Sequence, residues 1–250
     1  MVSIKLLSAT VLAGLCTTCF ASSVTFTDGN FSTTTWTNSS LVYDDPSVPG
    51  PPPLTSTGSI NRQPSGGDPG AYDQNVHNIT YGDTIYTIAV DSAATYNPSM
   101  SGAISNIVFS ADLMQSTAGS SAWQLVVVQN GVKYYSVPLG AFSGAAWAAY
   151  SLSGLTQSNF DTDPTALFLG EVGTGQEPNF SASGAPLTFG YALGNRLSGP
   201  GTITTVLGID NWSVTINSAS SSVPEPNSGV VVSAALALFL FFGVAKRRIV

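Results

Sequence analysis

The chain predicts an all-β fold: an antiparallel β-sandwich of the jelly-roll kind, flanked by an N-terminal signal-peptide helix and a C-terminal transmembrane helix. Three observations predict the sandwich. Apolar residues alternate at a period of two, as at Ile107, Phe109, Ala111 and Leu113, which places them on one face of a strand. Asn130-Gly131 lies between the β-rich runs 123–129 and 132–138. An Asn-Gly pair supplies the positive φ that a type I′ hairpin needs at both central positions. From residue 23 to the C-terminal segment, no stretch keeps an amphipathic helical period of useful length.

In chain order, Met1–Ala21 has one early cation, Lys5, an apolar run from Leu6 to Leu15, and small residues near Ala21. That is the pattern of a secretory signal peptide cleaved after Ala21 or shortly beyond. Cys16 and Cys19 both fall inside it, so the mature domain (22–217) has no disulfide, thiol nucleophile or cysteine-bound metal. Val24-Thr25-Phe26 starts a short strand. Residues 41–78, rich in Pro and Gly, read as a long irregular region, a surface loop rather than a binding lid. Ile79–Val90 reads as a strand pair or as one strand bent at Gly82-Asp83. Leu125–Val128, apolar on both faces, reads as a central strand. Further strands are expected at Trp147–Leu152, Leu167–Val172, Pro186–Leu193 and Thr202–Asn217, which suits a sandwich. Ser218–Ser222 is a polar linker.

The last segment, Val223–Val250, has three parts: Pro224-Glu225-Pro226, an uncharged apolar run over Gly229–Ala245, and the basic cluster Lys246, Arg247 and Arg248. Seventeen residues of helix rise about 25 Å, close to the thickness of a bilayer's hydrocarbon core. The basic cluster holds the C-terminus in the cytoplasm and puts the preceding chain outside. The two prolines keep the motif extended above the membrane. Without the two ends, 13 acidic residues face only Arg62, Lys133 and Arg196, a net charge of about −10. Such a surface argues against nucleic acid and anionic lipid headgroups as partners.

The tripartite tail resembles the PEP-CTERM family of exported bacterial proteins, over about the last 28 residues. The resemblance implies a sorting signal read by an exosortase, a membrane-embedded cysteine transpeptidase-like enzyme. Pro224, Glu225 and Pro226 would be its recognition site, closed by Lys246, Arg247 and Arg248. Processing near the motif would release the domain toward the cell surface; a plain membrane anchor is the alternative. The strand Gly208–Ile216, with Phe189-Gly190 and the opening Phe26-Thr27-Asp28-Gly29-Asn30-Phe31, is similar to the extracellular jelly-roll and lectin-like domains that precede such tails. That likeness implies a structural calcium near the Asp-Asn pair. The glutamate common after the opening G-x-F is Ser32 here.

Among candidate site residues, Asp210 is expected on the same strand face as Trp212, Val214 and Ile216. A carboxylate facing the core needs a partner. Arg196, backbone N–H groups, or a calcium ion shared with Asp28 could supply it. Asp161-Thr162-Asp163 reads as a turn. His77 is the only histidine, and no G-x-S-x-G elbow or metal-ligand spacing accompanies it. Glu171 and Glu177 are not placed as a glycosidase pair. Trp123 and Trp212 are expected in the core; Trp36 and Trp147 are the better prospects for exposure. No catalytic residue or resident cofactor is expected. The adopted reading is an exported surface protein, structural in an exopolysaccharide layer. A glycan-binding module is the alternative, and a hydrolase on the same scaffold stands third.

Overall fold

The structure, a computed structural model, describes residues 22–44, 54–116, 121–142, 144–165, 173–197 and 199–219. The signal-peptide, sorting-tail and transmembrane readings, and the strand expected at Leu167–Val172, lie outside the described residues. Among the described residues, no helix is long and apolar enough to cross a membrane. Ala21–Ala219 forms one compact unit.

The strands are β1 (Ser23–Asp28), β2 (Trp36–Asp44), β3 (Thr57–Gly67), β4 (Gly70–Thr80), β5 (Asp83–Tyr96), β6 (Ile104–Gln115) and β7 (Ser121–Gln129). There follow β8 (Val132–Ser136), β9 (Leu139–Phe142), β10 (Gly144–Leu155), β11 (Phe160–Asp161), β12 (Leu187–Arg196) and β13 (Thr202–Ser218), with a single helical turn, α1 (Pro98–Ser101), before β6. They make two antiparallel sheets. The first runs β10-β6-β13-β4-β3, and β1 takes over from β4 along the second half of β13. The second runs β11-β8-β7-β12-β5-β2, with β9 also on β7.

The alternation seen in the sequence does what it should. Ile107, Phe109, Ala111 and Leu113 of β6 are all buried, in one core cluster with Leu125, Val127, Tyr191 and Leu193 of the facing sheet. Asn130 (φ 54°) and Gly131 (φ 79°) turn β7 into β8. The second sheet is covered on its other face too, by a smaller cluster of Tyr86, Ile88, Val126, Tyr135 and Ala192. This double coverage is why Leu125–Val128 is apolar throughout.

Two expectations need correction. The described part of the region read as a loop, 41–44 and 54–78, is mostly strand: it holds the end of β2, all of β3 and most of β4. The strand pattern is hidden there because the inward face of β4 carries Asp73, Asn75 and His77 rather than apolar side chains. These residues are hydrogen-bonded across the core. His77 meets Asn195 Oδ1 at Nδ1 (2.5 Å) and Thr87 Oγ1 at Nε2 (2.8 Å). Thr87 donates to Asn75 Oδ1 (2.8 Å), and Asn195 donates to Ser121 Oγ. β3 is an outer strand with a single partner, so Pro64 interrupts no second ladder.

The second correction concerns Asp210. The register of β13 against β6 slips between Asp210 and Ser213, and Asn211 sits at φ 48°. This bulge swaps the faces: Leu207 and Ile209 point into the core before it, Trp212, Val214 and Ile216 after it. Asp210 therefore lies on the face opposite Trp212 and is buried from outside by the β3–β4 turn. A Cβ at Gly67 would stand 2.3 Å from Asp210 Oδ2.

Candidate functional site

β2 and β3 end opposite sheets, and they line a common cleft on one side of the sandwich. The β1–β2 connection closes one end of it. Asp28 Oδ1 accepts the N–H groups of Asn30 (2.7 Å) and Phe31 (3.0 Å), and Phe31 adopts φ 48°. The tight turn sends the Phe31 ring inward against Trp36, with centroids 5.3 Å apart. Trp36 Nε1 donates to Asp28 Oδ2 (2.7 Å), and its indole packs edge-on against Trp212. Trp36, expected as a prospect for exposure, is thus only 7% exposed and forms floor rather than platform.

The cleft encloses about 340 Å³ over Phe31, Trp36 and Ile60, and its polar walls are Thr33, Asn38, Asn61, Arg62 and Asp73. A shallower extension shares Asn38 and Ile60 and continues along Ser39, Ser40, Gly58 and Ser59. Most of the wall side chains have hydrogen-bonding capacity to spare. Arg62 donates from Nε to the Asn30 carbonyl, and Asn61 donates weakly to Ser59 Oγ (3.3 Å). Thr33 and Asn38 have no side-chain hydrogen bond among the described residues.

Asp73 is the unusual member. It faces Arg62 across the β3–β4 ladder and is 3% exposed. Tyr191, from the other sheet, donates to its Oδ2 (3.0 Å). Burial lifts the carboxyl to about 6; Asp28 adds to the rise, while Tyr191 and Arg62 oppose it. Burial, with the carboxylate next to it, also holds the Tyr191 hydroxyl well above its ordinary pKa. His77 lies deeper, away from solvent, and burial lowers its imidazole to about 4 despite the bond to Asn195.

Asp28 and Asp210, the residues expected to share a calcium ion, each spend carboxylate oxygens on donors of the protein. Both oxygens of Asp28 are engaged by its own turn and by Trp36. Asp210 instead accepts the N–H groups of Asp68 and Asn211. Burial raises its carboxyl, those two bonds oppose the rise, and Asp112 and Asp68 add to it. Among the described residues, no group of three or more His, Asp or Glu is arranged to hold a metal ion. Asp161 does form a turn. Burial pushes its carboxyl up, but donors from Asp163, Thr174 and Gly175 outweigh that and hold it below the usual range. Glu177 accepts from Gln157 at the surface, and Glu171 lies outside the described residues. Trp123 and Trp212 are fully buried, as expected. Trp147 is half-buried on the outer face of the first sheet. It donates to the Gly66 carbonyl (3.0 Å) and lies over Gly208.

Sequence reasoning missed Asn61, Arg62 and Asp73, because they fall in the stretch read as loop. Arg62 and Asp73 carried a signal: Gly58, Ile60 and Arg62 alternate on one face of β3, paired with the polar alternation His77, Asn75 and Asp73; Asn61 lies outside that alternation.

Fold and cleft together define an all-β, antiparallel two-sheet β-sandwich with a polar-walled cleft between its end strands. No protein-family model and no curated protein matches the chain. Among solved structures it is similar to a family 11 carbohydrate-binding module from Clostridium thermocellum in complex with a beta-1,3-1,4-mixed-linked tetrasaccharide. Identity is 10%, TM-score 0.44, and the match covers 79% of this chain and 96% of that one. It is also similar to the C-terminal family 6 module of LamC from Zobellia galactanivorans, at 12% identity and TM-score 0.28, covering 71% and 99%. These scores describe a distant likeness between sandwiches.

Proposed function

We propose that the sandwich is a glycan-binding domain of an exported cell-surface protein, with the β2/β3 cleft as its binding site. The observation that carries this reading is the set of walls described above. Thr33, Asn38, Asn61, Arg62 and Asp73 converge on one concavity with donors and acceptors unspent, above an apolar floor. Ligand sites pair an apolar lining with a few placed polar groups. A sugar suits such a lining, since it presents hydroxyls at its rim and C–H groups on its faces. A purely structural role, the reading adopted from sequence, requires no such cleft, and so the alternative becomes the better one.

Binding without cleavage is proposed because glycoside hydrolysis takes two carboxylates flanking the bond. Asp73 is the one carboxylate among the described lining residues, and Asp28 has both oxygens committed. The test is an oligosaccharide array followed by calorimetry on the wild type and on Asn38→Ala and Asn61→Ala variants. Binding that weakens in both variants supports the cleft. No binding to any glycan, or full binding by both variants, sinks it.

Delivery rests on the sequence. The signal peptide would export the chain, Gly229–Ala245 would hold it in the membrane, and an exosortase would recognise Pro224, Glu225 and Pro226. Intact mass of the extracellular protein should show truncation near residue 226, abolished when all three are replaced by alanine. Identical full-length masses for both would leave only an anchor.

A further inference from the structure

We infer that the cleft is built for a neutral sugar with two adjacent hydroxyls, held between Arg62 and Asp73, and that it discriminates against uronic acids. The inference rests on the glycan reading and names the ligand class for the same site.

Arg62 and Asp73 are directly opposite each other on β3 and β4. Each has spent one side of its polar group on the protein. Arg62 gives Nε to the Asn30 carbonyl, which fixes the guanidinium plane and leaves Nη1 and Nη2 as donors. Asp73 gives Oδ2 to Tyr191, which leaves Oδ1 as an acceptor at the cleft wall. Neither has another side-chain partner among the described residues.

The pair is therefore a donor fork beside an acceptor. A vicinal diol answers it fully, because each hydroxyl both donates and accepts: one hydroxyl donates to Asp73 Oδ1 while the pair accepts from the guanidinium. A uronate carboxylate would answer only Arg62. Its charge would stand beside Asp73 and approach a domain whose net charge is about −10. Like charge across a site is a device for refusing a ligand, as opposite charge is for choosing one. Asn38 and Asn61, with neutral amides that donate and accept, extend the same chemistry along the strands. From Gly58 to Arg62 the strand runs about 13 Å, so the site spans an oligosaccharide rather than one ring.

The experiment uses the Ala21–Ala219 unit, which closes its own core. Hexamers of glucose, mannose and galactose, their 2,3-di-O-methyl ethers, and hexamers of mannuronate and galacturonate are titrated by calorimetry. A neutral hexamer should bind, with an affinity that stays level between about 0.05 and about 0.5 M salt, since no ion pair forms. Its methyl ether and the uronates should bind at least about tenfold more weakly, a difference of about 1.4 kcal/mol. Arg62→Lys, which keeps the charge but loses the fork, should cost the neutral hexamer a similar factor. Uronates preferred, with affinity falling as salt rises, would make Arg62 a carboxylate receptor. That overturns this inference and leaves the glycan reading standing. Methyl ethers bound as well as the parent also overturn it. Binding of no hexamer of either class removes the glycan reading itself.

Discussion

Two buried titrating groups make opposite demands on this fold, and their balance can be measured. Asp73 is raised from 3.8 to about 6, so the folded state holds its proton more tightly than the unfolded chain does. Its contribution is complete below about pH 4 and is lost as pH rises through 6. His77 is lowered from 6.5 to about 4, so the folded state refuses a proton that the unfolded chain accepts. Its contribution is present above about pH 6.5 and is lost as pH falls through 4. Each span is a little over two pH units, worth about 3 kcal/mol at about 1.4 kcal/mol per unit. Between pH 4 and 6 the two slopes cancel.

Asp73→Asn breaks the balance. The amide oxygen can still accept from Tyr191, but nothing titrates. Urea unfolding of wild type and variant across pH 4–8 gives two curves whose difference isolates Asp73, because every other group is common to both. The variant should match wild type near pH 4 and exceed it by up to about 3 kcal/mol at pH 7 and above. Its own profile should climb between pH 4 and 6.5, where wild type stays nearly level. A difference that is flat with pH, or a variant no more stable at pH 7.5, would show that Asp73 ionises in the fold as it does in water.

Three further outcomes are expected. His77→Ala leaves Asn195 and Thr87 facing a buried gap and should cost about 2–5 kcal/mol in the same unfolding assay, from unpaired polar groups plus a cavity. Gly208→Val places a Cβ 2.6 Å from Trp147 Cη2 and 2.9 Å from Met114 Cγ. It should lift the indole off the sheet, red-shift tryptophan emission and cost about 1–3 kcal/mol, while an unchanged spectrum would deny that contact. Asn211→Val forces a β-branched residue to φ 48° and removes the amide's bonds to the Asp68 carbonyl and Asp112 Oδ2. It should cost about 2 kcal/mol or more and speed amide exchange at Asp68, whereas equal exchange would mean the bulge does not pin that turn.

The strands most legible in the sequence were those with apolar residues on one face or both, such as β6, β7, β8, β12 and β13; β1, β5 and β10 were read as well. Their inward side chains solve the burial problem by being apolar, and period two is then visible. β4 solves it differently. Asp73, Asn75 and His77 are buried through partners on Thr87, Tyr191 and Asn195, of which Tyr191 and Asn195 lie 118 residues from the groups they meet. No local pattern announces such a solution. The Asp210 error has the same root. A bulge changes the phase of the alternation, and the residue that marks it, Asn211, is also an ordinary strand-end residue when seen in one dimension.

The same reasoning explains why the cleft was invisible. Composition pointed to a polar, acidic domain and argued against nucleic acid and anionic lipid as partners, and a glycan-binding module stood as the alternative reading. Position could not follow, because the cleft comes from two strands that belong to different sheets and share no ladder. Arg62 joins the site through its pairing with Asp73, and Asp73 is held there by Tyr191, 118 residues further along the chain. A binding wall assembled this way needs its polar residues fixed from behind. Tyr191 does this for Asp73 and Asn30 does it for Arg62. Removing the Tyr191 hydroxyl with Tyr191→Phe should therefore weaken glycan binding without touching ligand. If binding survives that change intact, Asp73 is not positioned by the second sheet, and the cleft is less pre-formed than its geometry implies.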